Sequence, residues 1–233
     1  MAKVVDKYIG SLSGALGDMV FRRYKNGSVF VARRKSSDTI SYSPNCVQNR
    51  SKFKTVVKFA KVANTLPDIY KIWKNPAYAG RSPYTKILKQ NIGSINDKFL
   101  PTHSCKLTPD GFGFFYELIS VNSENISINL KLGKQNSNLI NKKFTFNCVL
   151  ALHNPKPLNN GESEVVDFIC VTASAEIIFE NYTEYKTLNL HINTFSQKIV
   201  LEYQNAIAIG ALTNVEETPF IFSESIFAES EIS

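Results

Sequence analysis

Between residues 112 and 152 the chain runs FGFFYELIS (112–120), ENISINLKL (124–132) and KFTFNCVLAL (143–152), three β-rich segments separated by Asn, Ser and Gly turns. Apolar and polar residues that alternate with a period of two mark strands with one covered face. The pattern recurs at 164–180, 186–193, 197–203 and 205–213, with a short last strand at 219–222. Six to eight short strands within about 110 residues is the spacing of a sandwich, so an antiparallel Ig-like β-sandwich is expected over 101–233, ending in an acidic tail.

Upstream of Pro101 the period changes to that of helices. Ser43-Pro44 reads as an N-cap followed by proline in the first turn, where its missing N–H costs nothing. From there to about Thr65, Phe53, Val56, Phe59, Ala60 and Ala63 recur at steps of three and four residues. Arg50, Lys54, Lys58 and Lys61 fall on the opposite side as a basic ridge. Pro67 opens a second helix through Ile69, Ile72 and Trp73, and Ser82-Pro83 caps a third. Further upstream, Asn26-Gly27 between two β-rich runs is a strong hairpin signal, with strands near 18–24 and 28–34. Neither face of that ribbon is cleanly apolar, so it needs a second surface to cover it. The expectation is an α+β chain: a hairpin with about three helices over 1–100, then the sandwich over 101–233.

Charge divides at the same place. Residues 1–100 hold 19 Lys and Arg against five Asp and no Glu, a net +14, and the remaining residues hold 8 bases against 15 acids, a net −7. Such asymmetry points to a polyanionic partner for the basic half, or to a contact between unlike surfaces of separate copies. The cations expected to meet a partner are Arg22, Arg23, Lys25, Arg33, Arg34 and Lys35 around the hairpin, and Arg50, Lys54, Lys58 and Lys61 on the helix.

The segments Gly10-x-Leu-Ser-Gly14-x-Leu-Gly17, Arg33-x-Lys35, Asn49-Arg50-x-x-Phe53, Ile72-Trp73 and Gly80-x-Ser82-Pro83-Tyr84 resemble an uncharacterised bacterial domain family frequent in Bacteroidota and Ignavibacteria-like genomes. The resemblance covers about 90 residues and implies a sandwich-like second half. It transfers no activity and no site residues.

Catalytic chemistry is not visible in the sequence. Gly10, Gly14 and Gly17 lack the Gly-Lys-Ser/Thr of a phosphate loop and precede a strand, so they read as turn glycines. His103-Ser-Cys105 is the one close His/Cys pair, against the two close pairs that a zinc site usually takes. Neither His153 nor His191 lies near a nucleophile motif, and the carboxylate pairs Glu162/Glu164 and Glu216/Glu217 sit in turns or tails. No enzyme, cofactor or metal is therefore expected. Cys46, Cys105, Cys148 and Cys170 read as reduced thiols. With neither a spanning helix nor a leader visible, the expectation is a protein of the cytoplasm, or of an assembled or signal-less exported particle, with no membrane partner. Two functions follow: a structural or assembly subunit, a homo-oligomer or component of a larger particle or filament, and alternatively a nucleic-acid-binding protein that uses the basic half.

Overall fold

The computed structural model describes residues 2–4, 14–23, 29–34, 43–78, 80–156 and 168–233. The chain divides into two compact units, Met1–Val47 and Gln48–Ser233.

In the first unit, β1 (Ala2–Val4), β2 (Gly14–Leu16), β3 (Met19–Arg23) and β4 (Val29–Arg33) form one antiparallel sheet in the order β1-β4-β3-β2. The β3–β4 hairpin is present, and its Asn26-Gly27 turn lies outside the described residues. Gly17, at φ 54°, shapes the two-residue turn that adds β2. The ribbon expected from sequence is thus the centre of a four-stranded sheet. Register places Leu16, Met19 and Arg33 in one row and Phe21 and Val31 in the next row of the same face. None of the side chains described in this sheet is buried, and Leu16 and Met19 are 65% and 47% exposed.

The second unit is built on two sheets. The larger contains β7 (Lys143–Pro155), β8 (Phe168–Ile178), β10 (Tyr203–Asn214), β11 (Ile221–Phe222) and β12 (Ile226–Glu231), in the order β11-β10-β7-β8 with β12 also on β10. The smaller is β5-β6-β9, formed by β5 (Phe114–Val121), β6 (Asn125–Leu132) and β9 (Lys186–His191). Every second residue of β7, Phe144 to Leu152, meets Ile126, Ile128, Leu130 and Leu132 of β6 in a core between the sheets. The intervening Val149 and Ala151, with Ile207, Ile209 and Ala211 of β10, form a second core on the other face.

Helices cover that second face. α1 (Pro44–Ala63) contributes Phe59, Ala60 and Ala63, α2 (Pro67–Lys74) Ile69 and Trp73, and α3 (Pro83–Asn91) Ile87. Ser82 caps α3 in a reciprocal box with Thr85. Between helix layer and sheet lies a short polar chain: Asn147 Nδ2 donates to Thr213 Oγ1 at 2.8 Å, and that hydroxyl donates to Asp68 Oδ2 at 2.8 Å. Asp68 stands in the first turn of α2, where the helix dipole favours a carboxylate.

The α+β expectation is corrected by this arrangement. Strand outweighs helix, 43% against 26%, and the protein is mostly β. The helices are a third layer on the sheet, not a helical half followed by an Ig-like sandwich, because their apolar faces have no other surface to bury. Two local readings change with it. Residues expected as a strand at 197–203 begin in α4 (Thr194–Val200), whose first turn is held by Asn193 accepting from the Ser196 amide at 2.9 Å. The expected acidic tail is β12, which pairs with β10 from Asn205–Glu231 to Gly210–Ile226.

Gly210 is a closely packed point of the inner core. It stands opposite Cys148, and a Cβ there would run into the Phe146 ring. Gly210→Val is expected to destabilise the fold by about 1–3 kcal/mol through overpacking, read as a lower midpoint in urea denaturation; an unchanged midpoint would contradict this packing.

Candidate functional site

Of the hairpin cations, Arg22, Arg33 and Arg34 are exposed, Arg23 lies in β3, and Lys25 and Lys35 fall outside the described residues. Arg33 is paired with Met19 and Arg22 with Phe30, three residues apart on β3, so Arg22 and Arg33 lie on opposite faces of the sheet. The hairpin arginines therefore do not form one basic surface.

On α1 the ridge is clearer. Thr55, Val56, Phe59, Ala60 and Ala63 are buried, so the far side carries Arg50, Lys54 and Lys61, all exposed. Phe53, expected on the apolar face, is 46% exposed. Lys58 is half-buried at the flank of the helix, with Nζ donating to the Phe168 carbonyl at 2.6 Å and standing 6.0 Å from the Phe168 ring centroid.

That flank is one wall of a cleft of about 350 Å³. Ser51, Lys54, Thr55 and Lys58 line it from α1, Lys98, Phe99 and Leu100 from the loop after α3, and Phe168 from the start of β8. Asn96 organises the loop: its Oδ1 accepts from the Lys98 and Leu100 amides at 2.9 and 3.0 Å. Phe99 is held at φ 61° while its carbonyl accepts from Thr55 Oγ1 at 2.9 Å. Asp97 faces elsewhere, bound by Lys52 at 2.8 Å and Gln48 at 3.0 Å. The Lys52 hydrogen bond and charge hold its carboxyl below the usual range. Among the described residues no carboxylate lines the cleft, and Lys54 and Lys98 have no ion pair. Lys98 was not among the cations singled out from sequence, because 98 and 54 are neighbours only once the loop folds back.

Ammonium groups around an open cleft can hold an oxyanion, with the hydroxyls of Ser51 and Thr55 in the same lining. Cys105, Cys148 and Cys170 are buried and unpaired, and Cys46 is half-buried. Burial pushes the Cys105 and Cys148 thiols up to about 12 and Cys170 higher still. His103 and His191 are exposed, and His153, partly desolvated on β7, is held below its ordinary value. No cluster of three His, Cys, Asp or Glu side chains comes together among the described residues, where no helix is long and apolar enough to cross a membrane. Comparison with protein-family models gives no match, and comparison with curated proteins gives none.

The thiols supply a direct check. In the native protein, Ellman's reagent is expected to react with Cys46 only, and with the other three after denaturation; a second fast-reacting thiol would contradict their burial. An unfolded thiol ionises near about 8.5, whereas the folded state keeps these protons, so unfolding releases them. Stability is thus full below about pH 8.5 and falls as pH rises towards about 12.

Proposed function

We propose that the protein is a non-enzymatic structural or assembly subunit that self-associates, or docks into a larger particle or filament, through complementary basic and acidic surfaces. The observation that carries this reading is the first unit's sheet. One face presents Leu16, Met19, Phe21, Val29 and Val31, and none of them is buried. Covering one large apolar side chain is worth about 1.5–3 kcal/mol, and a small sheet without a covered face is marginal in water. Arg33 lies on the same face, so a second copy bearing carboxylates suits both its apolar and its charged residues. The division of charge between the two halves supplies such carboxylates within the same chain.

Light scattering after size exclusion tests this reading. Association is expected at micromolar concentration at about 50 mM salt, weakening as screening rises towards about 500 mM. The double substitution Leu16→Ser and Met19→Ser is expected to weaken association by at least about tenfold while leaving the Tm of the Gln48–Ser233 unit unchanged. A strict monomer under both salt conditions would reject self-assembly.

The cleft supports nucleic-acid binding as a second reading, with Lys54 and Lys98 beside an opening that no carboxylate lines among the described residues. Single-stranded oligonucleotides are then expected to bind at about 50 mM salt and to weaken about tenfold or more when Lys54 and Lys98 become Gln. Equal affinity in that variant would reject the reading.

A further inference from the structure

Lys86 is the one charged side chain that is buried among the described residues, at 5% exposure. A lysine seldom loses water without full compensation. Its Nζ donates to the Asn75 carbonyl at 2.5 Å, at the C-terminal end of α2, where free carbonyls and the helix dipole favour a cation. An ammonium group has three N–H donors, and this contact uses one. The passage for the side chain is built into the loop before α3. Gly80 has φ 145°, and a Cβ there would stand 2.6 Å from Lys86 Cγ, so glycine is what lets the lysine through.

Lys86 lines a cleft of about 390 Å³, a volume in the range of small-molecule sites. Trp73, Ala77, Tyr78 and Pro109 form its apolar walls, with Lys89 and Gln90 of α3 at the margin. The aromatic wall is fixed in place. Trp73 Nε1 donates to the Leu107 carbonyl at 2.8 Å, and the Trp73 and Tyr78 rings stand 5.3 Å apart. Partial burial raises the Tyr78 phenol above its ordinary value, so it stays neutral. Asp110, the one carboxylate in the lining, is paired with Lys106.

We propose that this cleft is a binding site for a small organic carboxylate with an apolar body, whose carboxylate meets the Lys86 ammonium and whose body packs on Trp73, Tyr78 and Pro109. A single negative charge suits one buried ammonium with two donors to spare. A phosphate dianion suits it less, since no arginine lines the cleft and the second lysine, Lys89, is exposed at the margin, where it cannot balance a second buried charge.

Trp73 is the chain's only tryptophan, so its fluorescence reports on this cleft alone. The full chain is titrated with cyclohexanecarboxylate, which does not absorb in the tryptophan range, with cyclohexanecarboxamide, which has the same body without the charge, and with inorganic phosphate. A saturable fluorescence change is expected with the carboxylate, at least about tenfold weaker with the amide and with phosphate. Lys86→Met keeps the stem and removes the charge, and is expected to weaken the carboxylate about tenfold or more. Absence of saturation with the carboxylate, equal affinity for the amide or phosphate, or a folded Lys86→Met variant that binds as tightly as the parent would each overturn the proposal. If that variant does not fold, the carboxylate and amide titrations of the unsubstituted protein decide the matter.

Discussion

From Phe146 to Leu152, and again from Ala206 to Asn214, no side chain of the chain faces solvent. Two adjacent strands, β7 and β10, are covered on both faces, and the rest of the second unit is arranged to make that possible. On one side the cover is the small sheet, whose β6 gives up alternate residues to the shared core. On the other it is the three helices. Each strand therefore serves two cores at once, and its residues are sized for both. Small or β-branched residues face the helices, and Phe144, Phe146 and Leu150 face the sheet. At Gly210, on the face turned to the small sheet, a ring from the neighbouring strand occupies the space of the missing side chain.

This constraint also decides where charge can go. Once Phe59, Ala60 and Ala63 are laid on the sheet, α1 has one direction left for Arg50, Lys54 and Lys61, and it is away from the core. Both clefts lie at margins of the helix layer, where a helix flank meets the loops that lead from α3 to β5. Those loops are held by short polar side chains. Asn91, fully buried, bonds both the amide and the carbonyl of Lys106, and Ser225 Oγ accepts from the amides of Leu107 and Thr108. The backbone that carries these cations is thereby held in place.

Local signals were the legible ones. Ser43-Pro44 and Ser82-Pro83 mark the starts of α1 and α3 because a cap and a first-turn proline act within four residues. Most strands of the two sheets in the second unit were legible from their period, and the β3–β4 pairing from its turn. What failed were inferences about which elements share a core. The change of charge near Pro101 is a change of composition, while the packing joins residues on both sides of it, Phe59 with Ile209 among them. The run Ile199-Val200-Leu201 reads as strand by its residue types, and only the cap at Asn193 signals the helix that forms. In β12, glutamates hide a period of two that Ile226, Ala228, Ser230 and Ile232 otherwise show. The lysine cleft draws on residues near 54, 98 and 168, a juxtaposition with no trace in spacing.

The order of the chain gives the double burial of β10 a temporal meaning. During synthesis the helices emerge before the sheet they cover, with Phe59, Ile69 and Trp73 exposed, and the surface they need includes Ile207, Ile209 and Ala211, made more than a hundred residues later. Until then only the parts of that core already made, Leu107 and later Val149 and Ala151 among them, can cover the apolar stripe. The nascent chain thus spends much of its elongation time with this face only partly covered, and at ribosomal rates of about 5–20 residues per second that interval lasts on the order of ten seconds. A chaperone or the ribosome surface has that long to shield it.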